Sequence, residues 1–227
     1  MKLSFYISIA ITSLAIFGLN SCKSEAETVD DILTGNFYIR YLEKGTIERV
    51  EAHLFLVDTA QNKTPYVLPS GIQQESTKMS SKWISDKLHR YQIEKQGPFR
   101  ELLNFEFTDL NGNQLTNSIS MRPIKNLNLP ELTNLKEKVG LDFSNDPLLK
   151  NEKISILLNN EAGKTKVISI VGPQNSEYTI DLAEKDLEKG EWTYYFVKRQ
   201  ETKSEGPNIF ILNAYEYYSS DKQLVIK

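Results

Sequence analysis

Cys22 carries the most specific chemistry in this chain, because it is the one cysteine among 227 residues. With no second cysteine there is no internal disulfide and no cysteine-built zinc cluster, so attachment is the chemistry left to this thiol. The other reactive side chains form no constellation. His53 and His89 are the two histidines, and neither has an i, i+4 partner or a cysteine to complete a zinc site, so both read as packing residues. The glycines spell neither GxGxxG nor GxxxxGK[ST], which removes the usual phosphate cradles. Asp109-Leu110-Asn111-Gly112-Asn113 begins like a calcium loop, but its glycine comes too early and the closing glutamate is missing; a hairpin turn explains it better. Ser76, Ser80, Ser81 and Ser85 lack a GxSxG elbow and read as an exposed strand edge and loop. Carboxylates are plentiful, yet a glycosidase-type pair is defined by a spatial separation that sequence does not display. No catalytic and no metal-ligating residue is assigned, no dissociable cofactor is expected, and the chain is read as noncatalytic.

Tyrosines offer the one binding surface with physical content. Tyr215 and Tyr217 share a face of the last long strand pattern, Tyr218 takes the other face, and Tyr195 points away from Trp192 and Tyr194. An exposed strip of Tyr195, Tyr215 and Tyr217 would stack on sugar rings or anchor a protein partner, since such rings offer large contact area at small entropy cost. Burial of the same rings in a core would remove that strip.

The elements that position these residues begin with a leader. Lys2 precedes an apolar run from Leu3 to Leu19, interrupted by Ser4, Ser8, Thr12 and Ser13 and followed by Leu19-Asn20-Ser21-Cys22. A bilayer span wants about 20 predominantly apolar residues, and this run falls short of a comfortable one. The layout resembles a bacterial lipoprotein signal, in which an aliphatic residue, a tolerated residue and a small residue precede the lipidated cysteine. Leu19, Ser21 and Cys22 match that pattern, and Asn20 is a less usual second member. The resemblance implies removal of residues 1–21 and a covalent lipid on Cys22, whose acyl chains add about 0.8 kcal/mol per buried methylene and hold the chain on a membrane. Lys23, where an aspartate would favour inner-membrane retention, points to the outer membrane. Glu25, Glu27, Asp30 and Asp31 resemble the surface-export signals of Bacteroidota lipoproteins, with the leaflet left open. Asp58-Thr59-Ala60 fits the O-glycosylation pattern of exported Bacteroidota proteins, with Thr59 as acceptor.

The charge balance, 27 basic against 30 acidic residues, is not that of a nucleic-acid binder, and loss of the leader removes only Lys2 from it. Residues 22–34 are polar and read as a tether. Beyond them the hydrophobic period is that of strands. Val50, Ala52, Leu54 and Leu56 alternate with a mixed face, and Leu103, Phe105 and Phe107 alternate with Asn104, Glu106 and Thr108 before the Asp109 turn. Many short strands at turn-punctuated spacing predict β-sandwiches. Pro123 and Pro130 bracket a break, giving one sandwich over 35–125 and a linker with a second sandwich over 126–227, with a short helix at 131–138. A weak internal echo, Tyr91-Gln92-Ile93 against Tyr178-Thr179-Ile180, fits that division. Leu187 to Phe196 resembles the corner before the penultimate strand of immunoglobulin-like and fibronectin-like domains, where a tyrosine hydroxyl reaches back to backbone; Tyr194 is the residue placed for it.

The mature chain therefore resembles Bacteroidota-type outer-membrane lipoproteins with tandem immunoglobulin-like domains. What the resemblance implies is an all-β chain anchored to the outer membrane, on the cell surface or the periplasmic leaflet, acting as a noncatalytic interaction module on an outer-membrane protein assembly. The alternative is a surface glycan-binding accessory lipoprotein.

Overall fold

The computed structural model describes residues 31–206 and 208–227; the leader, Cys22 and residues 23–30 of the tether lie outside the described residues. The described chain is all-β, with no helix. Its first nine strands are β1 Ile32–Leu42, β2 Ile47–Val57, β3 Lys63–Pro65, β4 Gln73–Gln74, β5 Thr77–Lys78, β6 Ser80–Ser85, β7 Leu88–Gln96, β8 Leu102–Thr108 and β9 Gln114–Ser120. The remaining eight are β10 Leu132–Thr133, β11 Lys138–Asp142, β12 Glu152–Asn160, β13 Thr165–Val171, β14 Glu177–Asp181, β15 Gly190–Gly206, β16 Ile209–Tyr218 and β17 Lys222–Ile226.

One sheet dominates, in the order β10-β17-β15-β16-β1-β2-β7-β6, with β12 on β15, β13 on β12 and β3 on β2. Two small sheets, β5-β4-β8-β9 and β11-β14, cover parts of its inner face. The alternation read from sequence sets this up, because successive side chains on a strand point to opposite faces. In β1, Phe37, Ile39 and Tyr41 are buried; in β2, Val50, Ala52 and Leu54 are; in β8, Leu103, Phe105 and Phe107 are. They meet in the first core, where the Phe37 and Phe105 rings lie 5.1 Å apart. Leu56 is only half-buried and Val57 takes the inward position, so the alternation in β2 slips at its end. The second core joins Ile154, Ile156, Trp192 and Tyr194 of the large sheet to Val139, Leu141 and Ile180 of the small one. Two sheet-on-sheet sandwiches result.

The sandwiches share strands, which the sequence did not predict. β15 is 17 residues long. Residues 192–200 of it pair with β12, and residues 197–206 pair with β16. β16 then lies parallel to β1, from Leu33 beside Ile209 to Leu42 beside Tyr218, and delivers Ile211, Tyr215 and Tyr217 to the first core. A strand expected in the sandwich of 126–227 thus completes the one expected within 35–125, and residues 31–227 form one compact unit. The first sandwich also begins before residue 35: Leu33, read as tether, is buried between Leu56 and Ile209. At 131–138 there is no helix. Leu132 and Thr133 pair with β17, and the Glu137 carboxylate accepts hydrogen bonds from the Asn134 amide at 3.2 Å and its Nδ2 at 2.6 Å, which locks a turn.

Three hairpin loops are built alike: 58–62, 109–113 and 160–164. In each, the side-chain oxygen of the first residue, Asp58, Asp109 or Asn160, accepts the amide of the fifth at 2.8 Å. The fourth residue turns the chain with φ of 65° at Gln61, 83° at Gly112 and 79° at Gly163. The aspartate at 109 is thus a turn acceptor. Tyr194 does reach back to backbone: its hydroxyl accepts the Leu129 amide at 3.0 Å and donates to the Leu129 carbonyl at 3.3 Å. Tyr91 is its counterpart in the first sandwich, accepting the Leu68 amide at 2.7 Å. Its sequence echo Tyr178 is not, since Tyr178 is half-buried and Ile180 takes the core position.

Candidate functional site

Two of the three tyrosines expected in a binding strip lie in the core. Tyr215 and Tyr217 are 2% and 4% exposed, because the pairing of β16 with β1 turns their face onto Tyr41 and Phe99. Burial pushes both phenols well above the ordinary tyrosine range. The Tyr217 hydroxyl donates to Glu43 at 2.9 Å, whereas the Tyr215 hydroxyl has no partner among the described residues. Tyr195 stands on the opposite face, half-buried, and its neighbour there is Tyr218, with ring centroids 6.4 Å apart and planes inclined by 30°.

That outer face carries a different aromatic cluster, assembled from three strands. β1 presents Tyr38 and Arg40, β16 presents Glu216 and Tyr218, and β15 presents Tyr195 and Arg199; cross-strand register sets Arg40 beside Glu216 and Glu216 beside Arg199. Glu216 is its centre and is 8% exposed beneath the rings. Its Oε2 accepts from the Tyr38 hydroxyl and from the Tyr218 hydroxyl at 2.7 Å, and its Oε1 lies 3.4 Å from Arg199 Nη1. Arg40 donates to the Tyr38 hydroxyl at 2.8 Å, and its guanidinium lies 5.2 Å from the Tyr38 ring centroid and 5.5 Å from that of Tyr218. Burial, reinforced by hydrogen bonding to Glu216, holds both phenols above their ordinary range, so they stay neutral donors at physiological pH.

The Tyr38 and Tyr218 rings are therefore fixed before any ligand arrives. A tyrosine whose hydroxyl is tied to a carboxylate has little rotamer freedom left to lose, which favours stacking. The cluster holds no nucleophile and no paired general acid and base; it offers ring surface and hydrogen-bond donors. Sequence reasoning passed over Tyr38 and Arg40. The signal was present as an aromatic and an arginine alternating with Phe37, Ile39 and Tyr41 on the polar side of β1.

The remaining candidates sit apart. His53 Nδ1 lies 3.1 Å from the His89 carbonyl oxygen. The His89 ring is edge-on to Trp83 at 5.1 Å and Tyr91 at 4.9 Å, and burial, then the charge of His53, lowers its pKa. Among the described residues, no three His, Cys, Asp or Glu side chains are gathered as for a metal ion. Thr59 lies at the exposed tip of the first hairpin loop. The serines at 80, 81 and 85 are on the exposed strand β6, as expected, while nearby Met79 is buried in the core.

No protein-family model matches the chain, and no curated protein does. Among solved structures it is similar to the SGBP-B protein of a Bacteroides ovatus mixed-linkage glucan utilization locus, determined with a mixed-linkage heptasaccharide. The two are 11% identical, the match covers 76% of this chain and 53% of that one, and the TM-score is 0.21. The chain thus spans about half the length of that protein, and a likeness of this extent fixes neither ligand nor activity.

Proposed function

We propose that this chain is a noncatalytic, carbohydrate-binding accessory lipoprotein, held at the outer membrane and facing the cell surface through a lipid on Cys22, with the outer face of the large sheet as its binding surface. One observation carries the reading: three tyrosines from three strands, Tyr38, Tyr195 and Tyr218, converge on one solvent-side face, and two of them are fixed by a shared carboxylate. Sugar rings present C–H faces that lie against aromatic rings, and their hydroxyls pair with partly exposed guanidinium groups such as Arg40 and Arg199. The same face carries no arrangement suited to bond cleavage.

Affinity electrophoresis of the detergent-purified lipoprotein through gels containing individual polysaccharides tests this. Retention by at least one polymer is expected, with Tyr195→Ala and Tyr218→Ala each weakening it tenfold or more, about 1.4 kcal/mol. Free migration through every gel, or unchanged retention of both variants, defeats the proposal.

A second reading, docking to an outer-membrane protein, finds one specific feature. β6 is a sheet-edge strand, exposed along its whole length, and shows Trp83 at 55% and Ile84 at 45% exposure. Such an edge accepts an added strand from a partner. The register shift between Trp83 and Ser85, together with Lys82, blunts that edge in the way proteins guard against unwanted pairing, so the carbohydrate reading is preferred. If native protein copurifies with an outer-membrane barrel and Trp83→Asp abolishes that association, docking takes precedence.

A further inference from the structure

The tyrosine cluster continues into a basic groove, and this sharpens what the ligand must be. Along the outer face of β15, Tyr195, Val197, Arg199, Glu201 and Lys203 follow one another at every second position, spaced by roughly 7 Å. At the Lys203 end lies a groove of about 690 Å³, walled on one side by β15 and on the other by the segment around residues 150–153. The walls are held firmly. Asn151 Nδ2 donates to the Glu201 carbonyl at 3.1 Å, and the Glu201 amide donates to the Asn151 carbonyl at 3.2 Å. Beneath them Gly172 leaves no room for a side chain, since a Cβ there would fall 1.8 Å from the Leu149 carbonyl oxygen.

Charge in the groove is one-sided. Glu152, wholly buried, is neutralised by Lys198 at 3.2 Å and Arg122 at 2.7 Å. Glu201 is taken up by Arg199 at 2.6 Å. Lys150, Lys153 and Lys203 are exposed and, among the described residues, form no ion pair. A chain of formal net charge −3 thus carries an uncompensated positive groove directly in line with its aromatic cluster. Such a groove concentrates anions, because its lining focuses the local potential.

We infer that the groove receives the carboxylate or sulfate groups of an acidic polysaccharide, several of whose sugar units span the distance along β15 to rings that lie on Tyr195 and Tyr218. The inference rests on the carbohydrate reading and names the ligand class within it. Lysine ammonium groups serve this role as mobile point charges, suited to acidic groups that recur along a polymer.

Full-length lipoprotein in detergent, run through gels containing polygalacturonate, chondroitin sulfate, or the neutral polymers mixed-linkage glucan and starch, decides the matter. The expected result is binding to one acidic polymer at least tenfold tighter than to either neutral one, weakening between 50 and 500 mM salt as about a Debye length of screening closes in. The double variant Lys153→Gln/Lys203→Gln should lose that preference, while Tyr218→Ala should weaken binding to every retained polymer tenfold or more without changing the preference. Equal or tighter retention by a neutral polymer overturns the acidic ligand and leaves the carbohydrate reading standing. So does a double variant that keeps its preference. Absence of retention by all four polymers, with lysine-dependent binding to phosphatidylglycerol vesicles, overturns both and makes the groove a membrane contact.

Discussion

The two faces of β15 and β16 use the same residue type for opposite ends. Tyr194, Tyr215 and Tyr217 point inward and are nearly inaccessible, whereas Tyr195 and Tyr218, each next to one of them in sequence, are half-exposed on the outer side. Inside, tyrosine fills volume and must satisfy or forgo a hydrogen bond in a dry environment; outside, a carboxylate tethers Tyr218 and Tyr38 into a surface. The contrast teaches that a tyrosine's role here follows from which side of the sheet is covered.

The largest expected effect lies on the inner face, at the buried Glu152–Lys198–Arg122 network. Glu152→Ala leaves Lys198, 2% exposed, as an unpaired buried charge and should cost about 3–5 kcal/mol in urea unfolding. The network also sets a pH dependence. Burial pushes the Glu152 carboxyl up, but hydrogen bonds from Arg122 and the Leu149 amide and the charge of Lys198 outweigh it, so its native pKa lies below the usual glutamate value. A depressed native pKa contributes stability that is complete above the unfolded value of about 4.3 and is lost as pH falls through the native one. Wild type should therefore lose stability below about pH 4.3 more steeply than Glu152→Gln; parallel curves would refute this.

Next come two hydroxyl deletions that differ only in partner. Tyr194→Phe leaves the Leu129 amide without its acceptor and should cost about 1–3 kcal/mol. Tyr215→Phe removes a buried hydroxyl that has no partner among the described residues and should be neutral or stabilising. Equal losses by calorimetry would mean that the inner tyrosines are not distinguished by their bonds. The smallest stability effects belong outside: Tyr195→Ala should shift unfolding by less than about 1 kcal/mol while weakening polysaccharide retention. A large loss of stability there would make the outer cluster structural.

Much of the fold was legible. The alternation of Leu103, Phe105 and Phe107 and the Asp109 turn follow from period-two patterning and local hydrogen bonding, which a few adjacent residues contain in full; the backbone anchor at Tyr194 came through the resemblance of its strand corner, since its partner Leu129 lies 65 residues away. The helix at 131–138 was misread because a two-residue bridge to the last strand outweighed local propensity. The site was legible only in part: Tyr195 was placed on the outer face, but Tyr38 and Arg40 became its neighbours through a parallel pairing between residues nearly the whole chain apart.

From sequence alone came the all-β class, the strand periods and the turn chemistry. That Tyr215 and Tyr217 share one face was also determined there, since alternation is a property of the strand itself. Which face is buried was decided by tertiary structure, because it depends on the strands β16 joins and the sheet laid over it. The binding surface inherits that choice: pairing of β16 with β1 buried one set of tyrosines and left Tyr38, Tyr195 and Tyr218 together on the other side.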